Sequence, residues 1–464
     1  MSKNDLSDTI AAIATPPGLG GIGIVRISGP AAASILDRVF FLSQTQEPVL
    51  SWESHHLYYG QVYHPQNGKL IDEALAVLMR APHSYTAEDV AEVQCHGGPV
   101  CLAEVLAAVL ASGARLAGPG EFTMRAFLNG RLDLAQAEAV LDLIEAKTPQ
   151  SATLAAGQLS GTLSRKIIDL GDKTLDLLAE IAAAMDFPED VDNLASQEAL
   201  ERISYLEDEV AHLLAGAHAG RIYREGLSIV LLGAPNAGKS SLMNALLKED
   251  RVIVTHVPGT TRDVIEEYLD IEGIPVLLSD TAGLRESTNE VESIGIGKSI
   301  SKAKEAGILL LVIDASSSLQ EEVVQMLDSY ANNRALILLN KCDIADPTPL
   351  IERLEKDYPG VSLVILSAKT RKGLSDLRTA IVQKALGGAM GQREGTINNL
   401  RHQEALYLAA NYLQEARKTI EQGLPLDMAS VDLQAAWQAL GEISGQTTAQ
   451  DVIDKIFANF CLGK

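Results

Sequence analysis

LSIVLLGAPNAGKSSLMNALL, residues 227–247, decides the fold. An unbroken apolar run enters a turn marked by glycines, and a stretch of helix formers leaves it. Gly233, Gly238, Lys239 and Ser240 meet the P-loop pattern in its required setting, after a strand and before a helix. In such a loop backbone N–H groups close around phosphates, Lys239 supplies a point charge to the outer phosphate oxygens, and Ser240 offers its hydroxyl to Mg²⁺. Asn236, Ala237 and Ser241 share the loop and its exit and count as nucleotide-contacting positions with Gly238, Lys239 and Ser240. Further apolar runs, IPVLLSD, ILLLVID, ALILLN and SLVILSA, alternate with helical segments up to about residue 386. Continuous apolar strands of this kind belong to a parallel sheet covered on both faces.

Downstream words select the base. DTAG at 280–283 follows a buried strand, so Asp280 can reach Mg²⁺ and Gly283 can direct its N–H at the γ-phosphate, with Thr281 and Ala282 beside them. NKCD at 340–343 places Asn340, Lys341 and Asp343 at the end of another strand, and a carboxylate there accepts both N–H donors of guanine, a pair that adenine lacks. Ser367, Ala368 and Lys369 close the base pocket, while PGTTRD at 258–263 supplies Thr261 to the metal and the γ-phosphate. Five motifs in this order resemble the translation-factor class of P-loop GTPases. Ras-like proteins carry a water-orienting Gln after the DxxG glycine. Leu284 stands there in this chain and cannot orient water, leaving Arg285, Glu286, Glu290 and Glu292 as candidates.

The 464 residues suggest about three domains. Lys and Arg number 38 against 61 Asp and Glu, a net charge of −23, which suits a cytoplasmic protein and excludes one that grips nucleic acid over its whole surface. Cys95, Cys101, Cys342 and Cys461 show neither a CxxC pair nor zinc spacing, and a reducing compartment fits them. No leader is evident, and the longest apolar runs are too short to span a bilayer, so no membrane association is expected. Up to about residue 120, short β-like runs (GIGIVRISG, EALAVLMR, DVAEVQC) are mixed with helices near 34–40 and 103–112. From about 122 to 221, and again after GGAMGQREG, the texture is helical, with Thr447 or Thr448 expected to cap a last helix from about Ala449. The expected fold is therefore a multidomain α/β and α+β chain: an α+β domain at 1–121, a discontinuous helical domain at 122–224 and 388–464, and a Ras-like P-loop domain inserted at 225–387.

GGIGIVRISG, HGGP, GEFTMRAFLNGRLDLAQAEAV, GAPNAGKSSLMN, DTAGLRES and the terminal CLGK together resemble the MnmE (TrmE) family of tRNA-modification GTPases, from about residue 9 to Lys464. The resemblance implies a potassium-activated GTPase in which Asn236, Thr255, Thr260 and the backbone of Val257 hold K⁺, Thr255 and Thr260 line the GTP site, and Glu292 positions the attacking water. It implies a reduced folate, 5,10-methylene- or 5-formyltetrahydrofolate, bound in an N-terminal dimerisation domain by Arg26, Glu92, Arg131 and Lys464. Arg131 departs from relatives that carry Lys, which keeps the charge and changes the geometry. It further implies a homodimer working with the flavoprotein MnmG, which carries FAD and uses NADH, to place an aminomethyl or carboxymethylaminomethyl group on carbon 5 of the wobble uridine of certain tRNAs.

Cys461 sits where a prenylated cysteine would, but Gly463 and Lys464 break that box. The resemblance places it in the modification chemistry, where a thiolate could add to carbon 6 of uracil; a buried, inert thiol beside Phe457 and Phe460 is the alternative. GLGGIG at 18–23 fits a dinucleotide fingerprint but leads into strand-like residues where a helix should open. HGGP resembles an oxyanion loop, yet no GxSxG exists in the chain. His55 and His56 lack partners at metal spacing. A second functional reading is a regulatory GTPase switch whose folate-like domain only dimerises.

Overall fold

The computed structural model describes residues 7–43, 48–186, 196–250, 268–280, 307–387, 396–461 and 463. The chain divides into two compact units.

The first comprises residues up to Leu141 together with Leu440–Lys464. Its seven strands are β1 (Ile10–Ile13), β2 (Ile22–Ser28), β3 (Phe40–Leu42), β4 (Leu57–Tyr63), β5 (Leu70–Met79), β6 (Val90–His96) and β7 (Arg115–Leu116). They form one sheet in the order β3-β4-β5-β6-β2-β1-β7, antiparallel except where β7 joins β1. Strand side chains alternate between faces. Ala11, Val25 and Ile27 therefore meet helices Ala32–Val39 and Pro99–Ala111 through Ile35, Leu36, Leu102 and Val105. Ile10 and Ala12 turn the other way and bury Phe122 of helix Glu121–Leu128. GLGGIG opens into β2 and not into a helix, as its context requires. The helix expected near 103–112 starts earlier, at Pro99, because proline is preorganised for the first helical turn. The last helix, Gln450–Ala458, is entered from Ala449 without a side-chain cap. The threonine cap is not formed: Thr448 Oγ1 donates instead to the Glu442 carbonyl, 2.9 Å away, at the end of the preceding helix.

Helix Glu121–Leu128 is held by ions. Arg125 is fully buried and donates to Asp8 (2.6 Å), Glu121 (3.1 Å) and Glu88 (3.3 Å). Arg115 grips the same Glu121 at 2.6 Å and Asp8 at 2.7 Å. For both carboxyls burial pulls upward, but hydrogen bonds and charge from the two guanidiniums prevail and hold them below the usual range.

The second unit runs from Asp142 to Ala439 among the described residues. Its sheet contains β8 (Leu227–Leu232), β9 (Tyr268–Ile271), β10 (Ile274–Asp280), β11 (Ile308–Asp314), β12 (Ala335–Asn340) and β13 (Ser362–Ile365), in the order β13-β12-β11-β8-β10-β9. All neighbours are parallel except β9 and β10. β12 is buried at every position, as a strand covered on both faces must be. Helices Lys239–Asp250 and Leu374–Leu386 cover one face, and helices Glu321–Tyr330 and Thr348–Asp357 cover the other. A helical layer adds Pro149–Leu159, Thr162–Asp186, Ser196–Ala215, Ala217–Glu225 and Leu400–Glu421. Gly220 lies against the Ile397 backbone, so the chain leaves this layer and returns to it at one place. No described helix is long and apolar enough to cross a membrane.

Candidate functional site

At the carboxyl ends of β8, β12 and β13 the sheet brings three of the predicted words together. The P-loop turns from β8 into helix Lys239–Asp250. Lys239 is almost fully buried, and its Nζ donates to the carbonyls of Gly233 (2.8 Å) and Ala234 (2.9 Å), which curls it back over the loop. Asn236, at φ +64°, takes the left-handed backbone that non-glycine residues adopt at a cost and that concentrates at functional sites. Gly238 has φ +96°, and a Cβ there would collide with the Asn340 amide. That amide is a staple: Asn340 Nδ2 donates to Ala237 O at 2.8 Å, and Asn340 Oδ1 accepts from Ala368 N at 3.0 Å. One buried side chain thus fixes the phosphate loop to the base loop. Ser240 and Ser241 are exposed at the helix start, available to a metal and a phosphate.

Asp343 is exposed, and a hydrogen bond from Ser367, ahead of the nearby lysines, holds its carboxyl below the usual range. It is therefore an ionised acceptor near neutral pH. Lys341, with φ +68°, reaches Asp314 at 2.6 Å. Asp314 ends β11 and stands opposite Asn340 in the register. Burial pulls its carboxyl up, and bonds from Lys341 and Ser316 outweigh that. Sequence reading missed Asp314, although an acid closing the apolar run ILLLVID was its signal. The Asp280 backbone ends β10 opposite Leu231; its side chain, and all of Thr255, Val257, Thr260, Thr261, Thr281, Ala282, Gly283, Arg285, Glu286, Glu290 and Glu292, lie outside the described residues.

In the first unit a second group assembles around Tyr85. Arg26 on β2 and Glu92 on β6 are register partners, and Arg26 Nε donates to Glu92 Oε1 at 2.8 Å. The Arg26 guanidinium carbon lies 5.3 Å from the Tyr85 ring centre and 5.8 Å from that of Phe122. Arg131 stacks on Tyr85 at 5.0 Å and donates to the Tyr85 carbonyl at 2.9 Å. Thr123 bonds the tyrosine hydroxyl at 2.8 Å. Two of the four residues assigned to one pocket, Arg26 and Arg131, thus meet on one aromatic ring that no motif had singled out, and Glu92 is tied to it through Arg26. Lys464 lies outside the described residues. Gly463 takes φ +89° against the backbone of Ile13 and Ala14, where a Cβ has no room. Cys461 is exposed, so it is not the buried thiol of the alternative reading; its carbonyl accepts from Gly120 N at 3.3 Å, beside Phe457 and Phe460, whose rings meet at a tilt.

Two family models match the chain. The model of the MnmE helical domain covers residues 134–461, and that of the GTP-binding protein TrmE N-terminus covers residues 9–131. The tRNA modification GTPase MnmE of Alkaliphilus oremlandii (strain OhILAs) is 45% identical over 99% of this chain and 100% of its own length. That of Heliobacterium modesticaldum (strain ATCC 51547 / Ice1) is 46% identical over the same shares. Among solved structures, the G domain of the T. maritima FeoB iron transporter is 24% identical over 34% of this chain and 98% of its own, with a TM-score of 0.26.

Proposed function

The chain belongs to the MnmE family of tRNA modification GTPases, and from that premise we propose that its GTP turnover drives addition of an aminomethyl or carboxymethylaminomethyl group to carbon 5 of the wobble uridine in certain tRNAs. It is a GTP-hydrolysing enzyme of tRNA modification. The finer reading is supported by one observation above all: two guanidiniums stacked on Tyr85 beside a carboxylate, in the unit that also carries Cys461.

That wall fits a reduced folate. Arg26 and Arg131 offer charge and flat cationic faces to its carboxylates and ring, and Glu92 offers an acceptor to pterin N–H groups. A reduced folate held there would supply the one-carbon unit. The Cys461 thiolate adds to carbon 6 of the uracil; the electron pair of the 5,6 double bond moves to carbon 5 and the adjacent carbonyl, making carbon 5 the nucleophile. Exposure of Cys461 allows a tRNA base to approach it.

In the nucleotide site Lys239 and Ser240 bind the phosphates and Mg²⁺, while Asp343 selects guanine. Asn236, Thr255, Val257 and Thr260 are assigned to K⁺ and Glu292 to the attacking water. With Leu284 in place of a water-orienting glutamine, hydrolysis needs such a substitute. We assign the active assembly to a homodimer with an MnmG-type flavoprotein, which brings FAD and NADH and most of the phosphate contacts, since a −23 chain is a poor tRNA ligand by itself. The chain 1–121, 122–224 with 388–464, and 225–387 then corresponds to folate, helical and GTPase domains.

The test is mass spectrometry of tRNA nucleosides from cells lacking the chain, rescued with wild type or with Cys461→Ser. The expected result is loss of the wobble-uridine side chain on deletion, restored by wild type and not by the serine variant, whose GTP turnover stays normal. Unchanged tRNA on deletion replaces this reading with the regulatory switch.

A further inference from the structure

HGGP has no GxSxG partner to make it an oxyanion loop, and the four cysteines lack metal spacing along the chain. In space the region looks different. Asp72 lies on β5, Cys95 on β6, and Cys101 in the first turn of helix Pro99–Ala111. One carboxylate oxygen of Asp72 and the two sulfur atoms all lie within 4.8 Å of one another. Cys101 Sγ approaches Asp72 Oδ2 to 3.2 Å. We infer that Asp72, Cys95 and Cys101 bind one thiophilic divalent metal ion of the zinc type.

Chemistry and geometry agree on this. Two thiolates and a carboxylate are a donor set that zinc takes, and bonds of ~2.0–2.3 Å in a tetrahedron place ligand atoms ~3.3–3.8 Å apart. The Cys101–Asp72 separation of 3.2 Å is already of that size, and the other separations, within 4.8 Å, have to close by no more than about 1.5 Å. The carboxylate is oriented from outside: His96 donates its backbone N–H to Asp72 Oδ2 at 2.8 Å, and its ring Nδ1 lies 2.8 Å from Oδ1. An outer partner that fixes a ligand's orientation is the usual companion of a metal site. Among the described residues Asp72 pairs with no lysine or arginine, its ionic partner being His96. Cys95 is buried, Cys101 and Asp72 are half-buried and His96 is exposed, which gives the ion a closed floor and an open side. The open side leaves a fourth position for water or an outside ligand. The site was hidden in the sequence because its third ligand comes from the neighbouring strand.

The experiment uses full-length protein carrying Cys461→Ser, which removes the exposed thiol, stripped with EDTA and titrated with Co²⁺. The expected result is one Co²⁺ per chain with a sulfur-to-cobalt charge-transfer band, bleached by Zn²⁺. Cys101→Ser is expected to cut the band by about half and the affinity at least tenfold, and Asp72→Asn to weaken binding while keeping the band. Circular dichroism and GTP turnover of each variant report folding. Absence of the band in the parent chain, or an unchanged band and affinity in a folded Cys101→Ser chain, overturns the site and leaves a hydrogen-bonded thiol cluster.

Discussion

The nucleotide site and the Tyr85 site are built by opposite routes. In the first, each part is a short contiguous word at the end of a parallel strand, and the sheet order alone brings the words together. In the second, Arg26 and Glu92 meet only because β2 and β6 pair in one register, and Tyr85 and Arg131 arrive from separate connections. A site made by parallel strand ends can be spelled out along a chain. A site made by cross-strand register cannot, since a one-residue slip would turn Arg26 to the opposite face.

The two regions also differ in what holds them, and the sharpest test is Arg125→Ala. The GTPase sheet rests on apolar strands, whereas helix Glu121–Leu128 rests on a buried guanidinium among Asp8, Glu88 and Glu121. Removing one member of such a network leaves buried charge uncompensated, at a cost of about 3–5 kcal/mol. Urea unfolding of the first unit should show that loss, and a change under about 1 kcal/mol would erase the contrast. Acid should act alike. Asp8 and Glu121 have folded pKa values depressed below their ordinary 3.8 and 4.5, so their contribution is present above those values and is lost as pH falls through the depressed ones. The unfolding midpoint should drop below about pH 4.5, and Arg125→Ala should flatten that dependence.

Next in size is Asn340→Ala. It frees Ala237 O and Ala368 N, each a buried group worth about 1–3 kcal/mol when left unpaired. Fluorescent GTP titration should show affinity lower by tenfold or more; unchanged affinity would mean that the two loops hold their shape without the staple. The smallest effect belongs to Arg131→Ala. An exposed cation on an aromatic face contributes about 0.5–1 kcal/mol. Calorimetry with 5-formyltetrahydrofolate should show binding weaker by several-fold, with GTP affinity intact; an equal loss in both would tie the two sites together.

How much could be read beforehand follows from this contrast. GAPNAGKS, NKCD and SAK carried their chemistry in backbone turns and single side chains, so β8, β12 and the loops around Asn340 were legible. Arg26, Glu92 and Arg131 came from family likeness, and nothing local announced that Tyr85 would gather the two guanidiniums. The role of Arg125 was equally silent, because its partners lie up to 117 residues away. The threonine cap failed for a local reason: the helix is entered from Ala449, one residue past Thr448, whose hydroxyl donates back to the Glu442 carbonyl.

The terminal segment has a consequence for synthesis. Gly445 packs on Phe127 and Leu134, Phe457 on Phe127, and Gly463 on Ile13, so a unit begun before residue 142 is finished by residues made after 439. While residues 142–439 are translated, at ~5–20 residues per second, its sheet must wait roughly 15–60 s with that face unsealed. A ribosome that stops before Leu440 therefore releases a chain with an intact nucleotide-binding sheet and an incomplete first unit.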